Sequence, residues 1–122
     1  MAEATIYHLA READWRRAQA GAPYLGAADC RRDGFIHFST AGQLAASAAR
    51  HRPGARDLVL VAVDAARLGP ALRWEPGRGG ALFPHIYGPL PMAAVVATVP
   101  LPLGPDGRHL FPADIPSDPE RE

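Results

Sequence analysis

The stretch Gly34 to Thr40, Gly-Phe-Ile-His-Phe-Ser-Thr, alternates like a half-buried strand, with Phe35, His37 and Ser39 on one face and Ile36 and Phe38 on the other. Thr40 and Gln43 stand at the spacing at which a capping threonine and a glutamine satisfy each other's orphan backbone donors. A helix is therefore expected from Ala41 to Arg52, with Leu44 and Ala48 turned inward and Pro53-Gly54 ending it. Asp57 to Asp64 is apolar at both parities, the pattern of a central strand buried on both faces. Thr5 to Leu9 reads as a strand with Ile6 and His8 on one face and Tyr7 and Leu9 on the other. Ala71 to Glu75, Phe83 to Leu90 and Ala93 to Leu101 complete the strands. Ala10 to Ala20 predicts a second helix, acidic early and basic late, that packs through its alanines and Trp15 and stops at Gly21. Ala22 to Asp33 reads as a loop with one helical turn, and Gly77 to Ala81 as a mobile glycine-rich lid. Strands mixed with two main helices, too few to cover both faces of a parallel sheet, predict an α+β fold with a curved, mostly antiparallel sheet. Residues 1–103 form one domain in this reading, and 104–122 a Pro/Gly-rich tail with Leu110 and Phe111 touching the body.

With 122 residues, 48% of them hydrophobic and 21% charged, the chain suits one globular domain. No apolar run is long enough to cross a bilayer and no signal peptide is evident, so the cytoplasm is expected. Thirteen basic and thirteen acidic residues cancel, which argues against nucleic acid as a partner; oligomeric state is left open. All thirteen bases are arginine, and without lysine neither Schiff-base chemistry nor a P-loop is available. The lack of lysine and asparagine beside abundant alanine, arginine, glycine and proline fits the codon bias of a GC-rich bacterial genome. Cys30, the single cysteine, excludes an internal disulfide, and its flanking Asp29 and Arg31 give no sign of an activated thiolate.

Candidate chemistry rests on histidine. His51 and His109 lie in polar surroundings and need no function. His8, His37 and His85 each sit in a short apolar strand, where an imidazole needs a partner, and convergence on one pocket explains three of them better than separate packing roles. Tyr87 shares a face with His85, and Tyr24 is a further candidate for the pocket lining. Such a pocket could transfer protons, bind hydroxyls or phosphate, or hold a metal with Glu75 as a fourth group. The metal reading lacks a local His-x-His or His-x-x-x-His pair, and a Ser39 hydrolase lacks the Gly-x-Ser-x-Gly elbow.

The set Ile6-Tyr7-His8-Leu9, Trp15, Gly34 to Thr40, Gln43, Trp74-Glu75 and Phe83 to Leu90 resembles the DUF952 family of small bacterial proteins of unknown function, over roughly residues 4–101. The resemblance implies a fold similar to the catalytic domain of ADP-ribosyltransferases, a split, curved sheet around a cleft for a nicotinamide dinucleotide. It implies NAD, or another nucleotide or ribose ligand, as the small-molecule partner. By position His8 matches a first-strand residue that contacts ribose, and His37 to Thr40 the segment that shapes the nicotinamide pocket, with Ser39 and Thr40 as ligand contacts. For the third position Glu75 is one candidate, while His85 and Tyr87 are the more distinctive residues, with Trp74 and Tyr87 as ligand contacts. A pair of histidines is more similar to the RNA 2'-phosphotransferase branch than to branches with a catalytic glutamate. The resemblance thus implies an ADP-ribosyl or phosphoryl-type transferase, with a non-catalytic metabolite-binding module as the alternative.

Overall fold

The structure, a computed structural model, describes residues 5–112. Along the chain run β1 (Thr5–Arg11), α1 (Glu12–Gln19), α2 (Ala28–Asp33), β2 (Ile36–His37), α3 (Leu44–His51), β3 (Leu58–Asp64), β4 (Leu72–Pro76), β5 (Leu82–Ile86) and β6 (Val95–Pro100). The strands form two three-stranded sheets, ordered β1-β3-β6 and β2-β5-β4, and every pairing within them is antiparallel. The fold is α+β, as the strand and helix patterns predict, with its strands in two antiparallel sheets. No helix among the described residues is long and apolar enough to cross a membrane.

The doubly apolar strand β3 is central in its sheet, paired with β1 on one edge and β6 on the other, and each of its faces meets a separate core. Val61 and Val63, fully buried, join Ile6 and Ala10 of β1, Trp15 and Ala18 of α1, and Ile36 and Ile86 of the second sheet. On the opposite face Leu58 and Leu60 pack with Tyr7, Leu44 and Leu101. Burying each such aliphatic side chain contributes about 1.5–3 kcal/mol.

β2 joins the two sheets. Ile36 and His37 pair with Ile86 and His85 of β5, and two residues later Ser39 exchanges both backbone hydrogen bonds with Tyr7 of β1, each 2.8 Å long. The expected strand over Gly34 to Thr40 is therefore paired to one sheet at its start and to the other at its end. Thr40 then caps the next turn: its hydroxyl accepts from the Gln43 N–H at 3.3 Å, and the Gln43 side chain accepts from the Thr40 N–H at 3.0 Å. The first turn, Ala41–Gln43, is a 3-10 turn, and α3 continues it. Thr40→Ala is expected to cost about 1 kcal/mol, read as a lower urea midpoint at unchanged slope. Thr40→Ser should retain most of that stability.

Three α-helices stand where two were expected, since the helical turn foreseen before Gly34 extends over the six residues of α2. Gly34 ends it in the left-handed conformation, φ 89°. Gly26 ahead of it admits no side chain, because a Cβ there would lie 2.5 Å from the Cys30 Cβ. The Gly77 to Ala81 loop, expected as a lid, contains a short 3-10 turn at Arg78–Gly80. Residues 103–111 fold back on the body. Leu103 bridges to His109, Phe111 packs on the second core, and Nε2–H of His109 donates to the Ala55 carbonyl at 2.8 Å. His109 is thus buried, contrary to the polar setting its neighbours suggest. The rest of the expected tail, 113–122, lies outside the described residues.

Candidate functional site

His37 and His85 are directly opposed across the β2–β5 pair, so both imidazoles rise from the outward face of the second sheet, with ring centroids 5.5 Å apart. Phe35 stacks on the His85 ring at 4.2 Å and meets the His37 ring edge-on at 4.7 Å, which holds the two at a fixed separation. Each ring is tethered by its own carboxylate. The His37 Nε2–H donates to Asp33 at 2.9 Å, and the His85 Nδ1–H donates to Glu75 at 2.6 Å. These bonds leave Nδ1 of His37 and Nε2 of His85 without a hydrogen-bond partner among the described residues. The bond from His37 keeps the Asp33 carboxyl below its ordinary range, and bonds from His85 and Tyr87 do the same for Glu75. Both carboxylates are accordingly ionised at neutral pH and act as the acceptors that fix the orientation of each ring.

Both rings line a cleft of about 390 Å³. Its walls come from β1, from α2 through Asp29, Cys30, Arg32 and Asp33, and from α3 and the residue after it through Ser47, Arg50, His51 and Arg52. Gly77 and Phe83 also line it. Arg52 donates to Asp29 at 2.9 Å and to the His51 carbonyl at 2.9 Å, while its Nε is enclosed without a partner among the described residues. Burial raises the Asp29 carboxyl, but the hydrogen bond and charge of Arg52 outweigh that and hold it down to about 2. Cys30 is buried, accepts the His37 N–H at 3.4 Å, and has its thiol pushed up by burial, which keeps it unreactive.

His8 lines the same cleft but is committed elsewhere. A carbonyl oxygen only accepts, so the 2.7 Å contact with the His37 carbonyl puts the proton on Nδ1, and Nε2 accepts from the Tyr24 hydroxyl at 2.5 Å. Burial depresses the ring from 6.5 to about 4, so it is neutral with both nitrogens satisfied. This arrangement fits a support for the His37 backbone better than direct chemistry.

The other expected site residues divide. Ser39 lines the cleft and donates to Ser47 at 2.9 Å. Glu75 and Tyr87 gather behind His85 and are not among the cleft-lining residues; the Tyr87 hydroxyl donates to Glu75 at 2.8 Å, and the Arg73 guanidinium lies over the Tyr87 ring. Tyr24 is buried in the core against Trp15 and His8, the Thr40 hydroxyl is spent in the capping box, and Trp74 projects from the opposite sheet face to its neighbours Arg73 and Glu75. None of these three lines the cleft. Sequence reasoning missed Asp33, Ser47, Arg50 and His51. The Asp33 carboxylate stands four residues before His37, a spacing that gains meaning only because Gly34 turns the chain back between them. No three His, Cys, Asp or Glu residues among those described are grouped to hold a metal ion.

Residues 9–98 match the family described as Protein of unknown function (DUF952). The chain belongs to this family. The X-ray structure of protein CC0527 from Caulobacter crescentus is similar with a TM-score of 0.82 at 42% identity, covering 87% of this chain and 93% of that one. A solution NMR structure of CC0527 gives a TM-score of 0.76 at 42% identity, covering 86% of this chain and 90% of that one. No curated protein matches. The DUF952 match takes in His37, Glu75 and His85, and begins one residue after His8.

Proposed function

We propose that the cleft binds a nucleotide or ribose-containing ligand and that His37 and His85 act together as an acid–base pair in phosphoryl-type transfer. The observation that carries this is the opposed pair of imidazoles, each tethered to a carboxylate at one nitrogen and without a protein partner at the other. One ring, neutral, takes the proton of an attacking hydroxyl as its oxygen bonds to phosphorus. The other, protonated, returns a proton to the oxygen that leaves as its bond to phosphorus breaks. The charge sum is unchanged and no further reactant is required.

A likeness to the ADP-ribosyltransferase fold is part of the same proposal. It is supported by the strand that crosses between the sheets beside the cleft. NAD is a candidate ligand because it carries both ribose and pyrophosphate. Glu75 is less suited to steady a cationic ribose directly, since its oxygens are engaged by His85 and Tyr87 outside the cleft. The test incubates the folded protein with NAD and with cyclic and linear nucleotide phosphodiesters, following phosphorus by NMR and nicotinamide by chromatography. A change at phosphorus that disappears in His37→Gln and His85→Gln is the expected result. Nicotinamide release alone would replace phosphoryl by ADP-ribosyl transfer, and binding without turnover would make the cleft a metabolite-binding module.

A further inference from the structure

Ser47, Arg50 and His51 lie three and four residues apart on α3 and all line the cleft, so one face of that helix is turned toward it. Arg50 has no ion-pair or hydrogen-bond partner among the described residues. Ser47, nearly buried, accepts the Ser39 proton, which leaves its own hydroxyl proton available to an acceptor in the cleft. The acidic groups nearby are already engaged: Asp29 holds Arg52, and Asp33 is shared between His37 and Arg32. The strip therefore offers donors and unspent positive charge, and among the described residues lining the cleft each carboxylate is already paired.

We propose that this face of α3 is an anion site for a second, non-reacting phosphate, which makes the ligand a nucleotide-like molecule bearing a terminal phosphomonoester or diphosphate. The proposal rests on the cleft's being the ligand site, and it names the ligand class. Arg50 fits a phosphate because its guanidinium can present two parallel N–H donors to two oxygens. A fixed anchor here would hold the reacting group against His37 and His85 through the length of the ligand, a contribution from positioning.

Calorimetric titration of the full chain with pyrophosphate, AMP and adenosine reads this site without turnover. Pyrophosphate and AMP should bind more tightly than adenosine and weaken as salt rises. Arg50→Gln should weaken pyrophosphate roughly tenfold at unchanged melting temperature, because the residue is exposed. Arg16→Gln, an equal loss of charge on the exposed side of α1, should change nothing. Absence of pyrophosphate binding to the folded protein at millimolar concentration overturns the proposal, as does wild-type binding by Arg50→Gln. Pyrophosphate binding through Arg50 alongside histidines that prove inert in the phosphorus assay would sustain the anion site and remove the transfer reading.

Discussion

His85→Gln and His37→Gln are each expected to lower phosphoryl transfer by roughly 10²–10⁴-fold, with the double variant falling little below the worse single one. The reason lies in the division of labour of the proposed reaction: proton removal and proton return belong to one displacement, so losing either ring would disable the same step. Both rings are partly exposed at the cleft, and Gln can still donate a hydrogen bond, so the variants should fold. Glu75→Gln offers a finer reading. It keeps a hydrogen-bond acceptor behind His85 while removing the carboxylate, so the rate of the proposed transfer should fall without loss of ligand affinity. Fully additive losses in the double variant, or a full rate with either histidine absent, would show that the pair does not share a reaction.

His8→Ala is expected to destabilise the fold by roughly 3–5 kcal/mol, a large share of what a domain of this size holds in reserve. The substitution opens a hole beside Phe38 and leaves the Tyr24 hydroxyl and the His37 carbonyl without their partner. Tyr24→Phe removes a single bond, and the losses of the two variants should not add, since they share one contact. The same residue predicts an acid sensitivity. Its folded value near 4 lies below the 6.5 of an unperturbed imidazole, so between those limits the unfolded chain binds the extra proton. Stability from this group is therefore complete above about pH 6.5, falls as pH drops toward 4, and loses roughly 3 kcal/mol at about 1.4 kcal/mol per pH unit. Urea titrations across that range, repeated on His8→Ala, check it: the variant should show a shallower decline. Equal slopes for both proteins would rule out His8 as the source of the loss, since the carboxyls held below their ordinary values, Asp29, Asp33 and Glu75, give up their contribution only at lower pH.

Local patterns carried the elements whose partners do not matter to their form. The capping pair Thr40 and Gln43 was legible because both halves lie three residues apart, and β3 because burial on two faces leaves no polar position in its middle. The convergence of His37 and His85 followed from each having an apolar strand around it. What remained hidden depends on contacts distant in sequence. Nothing near His109 announces its bond to Ala55, 54 residues away, and nothing near Tyr24 separates a cleft tyrosine from one that locks a buried imidazole. The α3 strip was illegible for another reason: Arg50 and His51 look like ordinary polar residues of a helix end until the second sheet is folded opposite them.

The crossover at Phe38 has a mechanical meaning. The segment that carries His37 is stitched to β5 on one side and, two residues on, to β1 by a reciprocal pair of 2.8 Å bonds, so the sheets are riveted beside the cleft. Hinging one sheet away from the other would shear that rivet before it widened the opening. Any widening of the cleft therefore falls to side chains at its rim, while the spacing of the two imidazoles is held as by a stiff gauge.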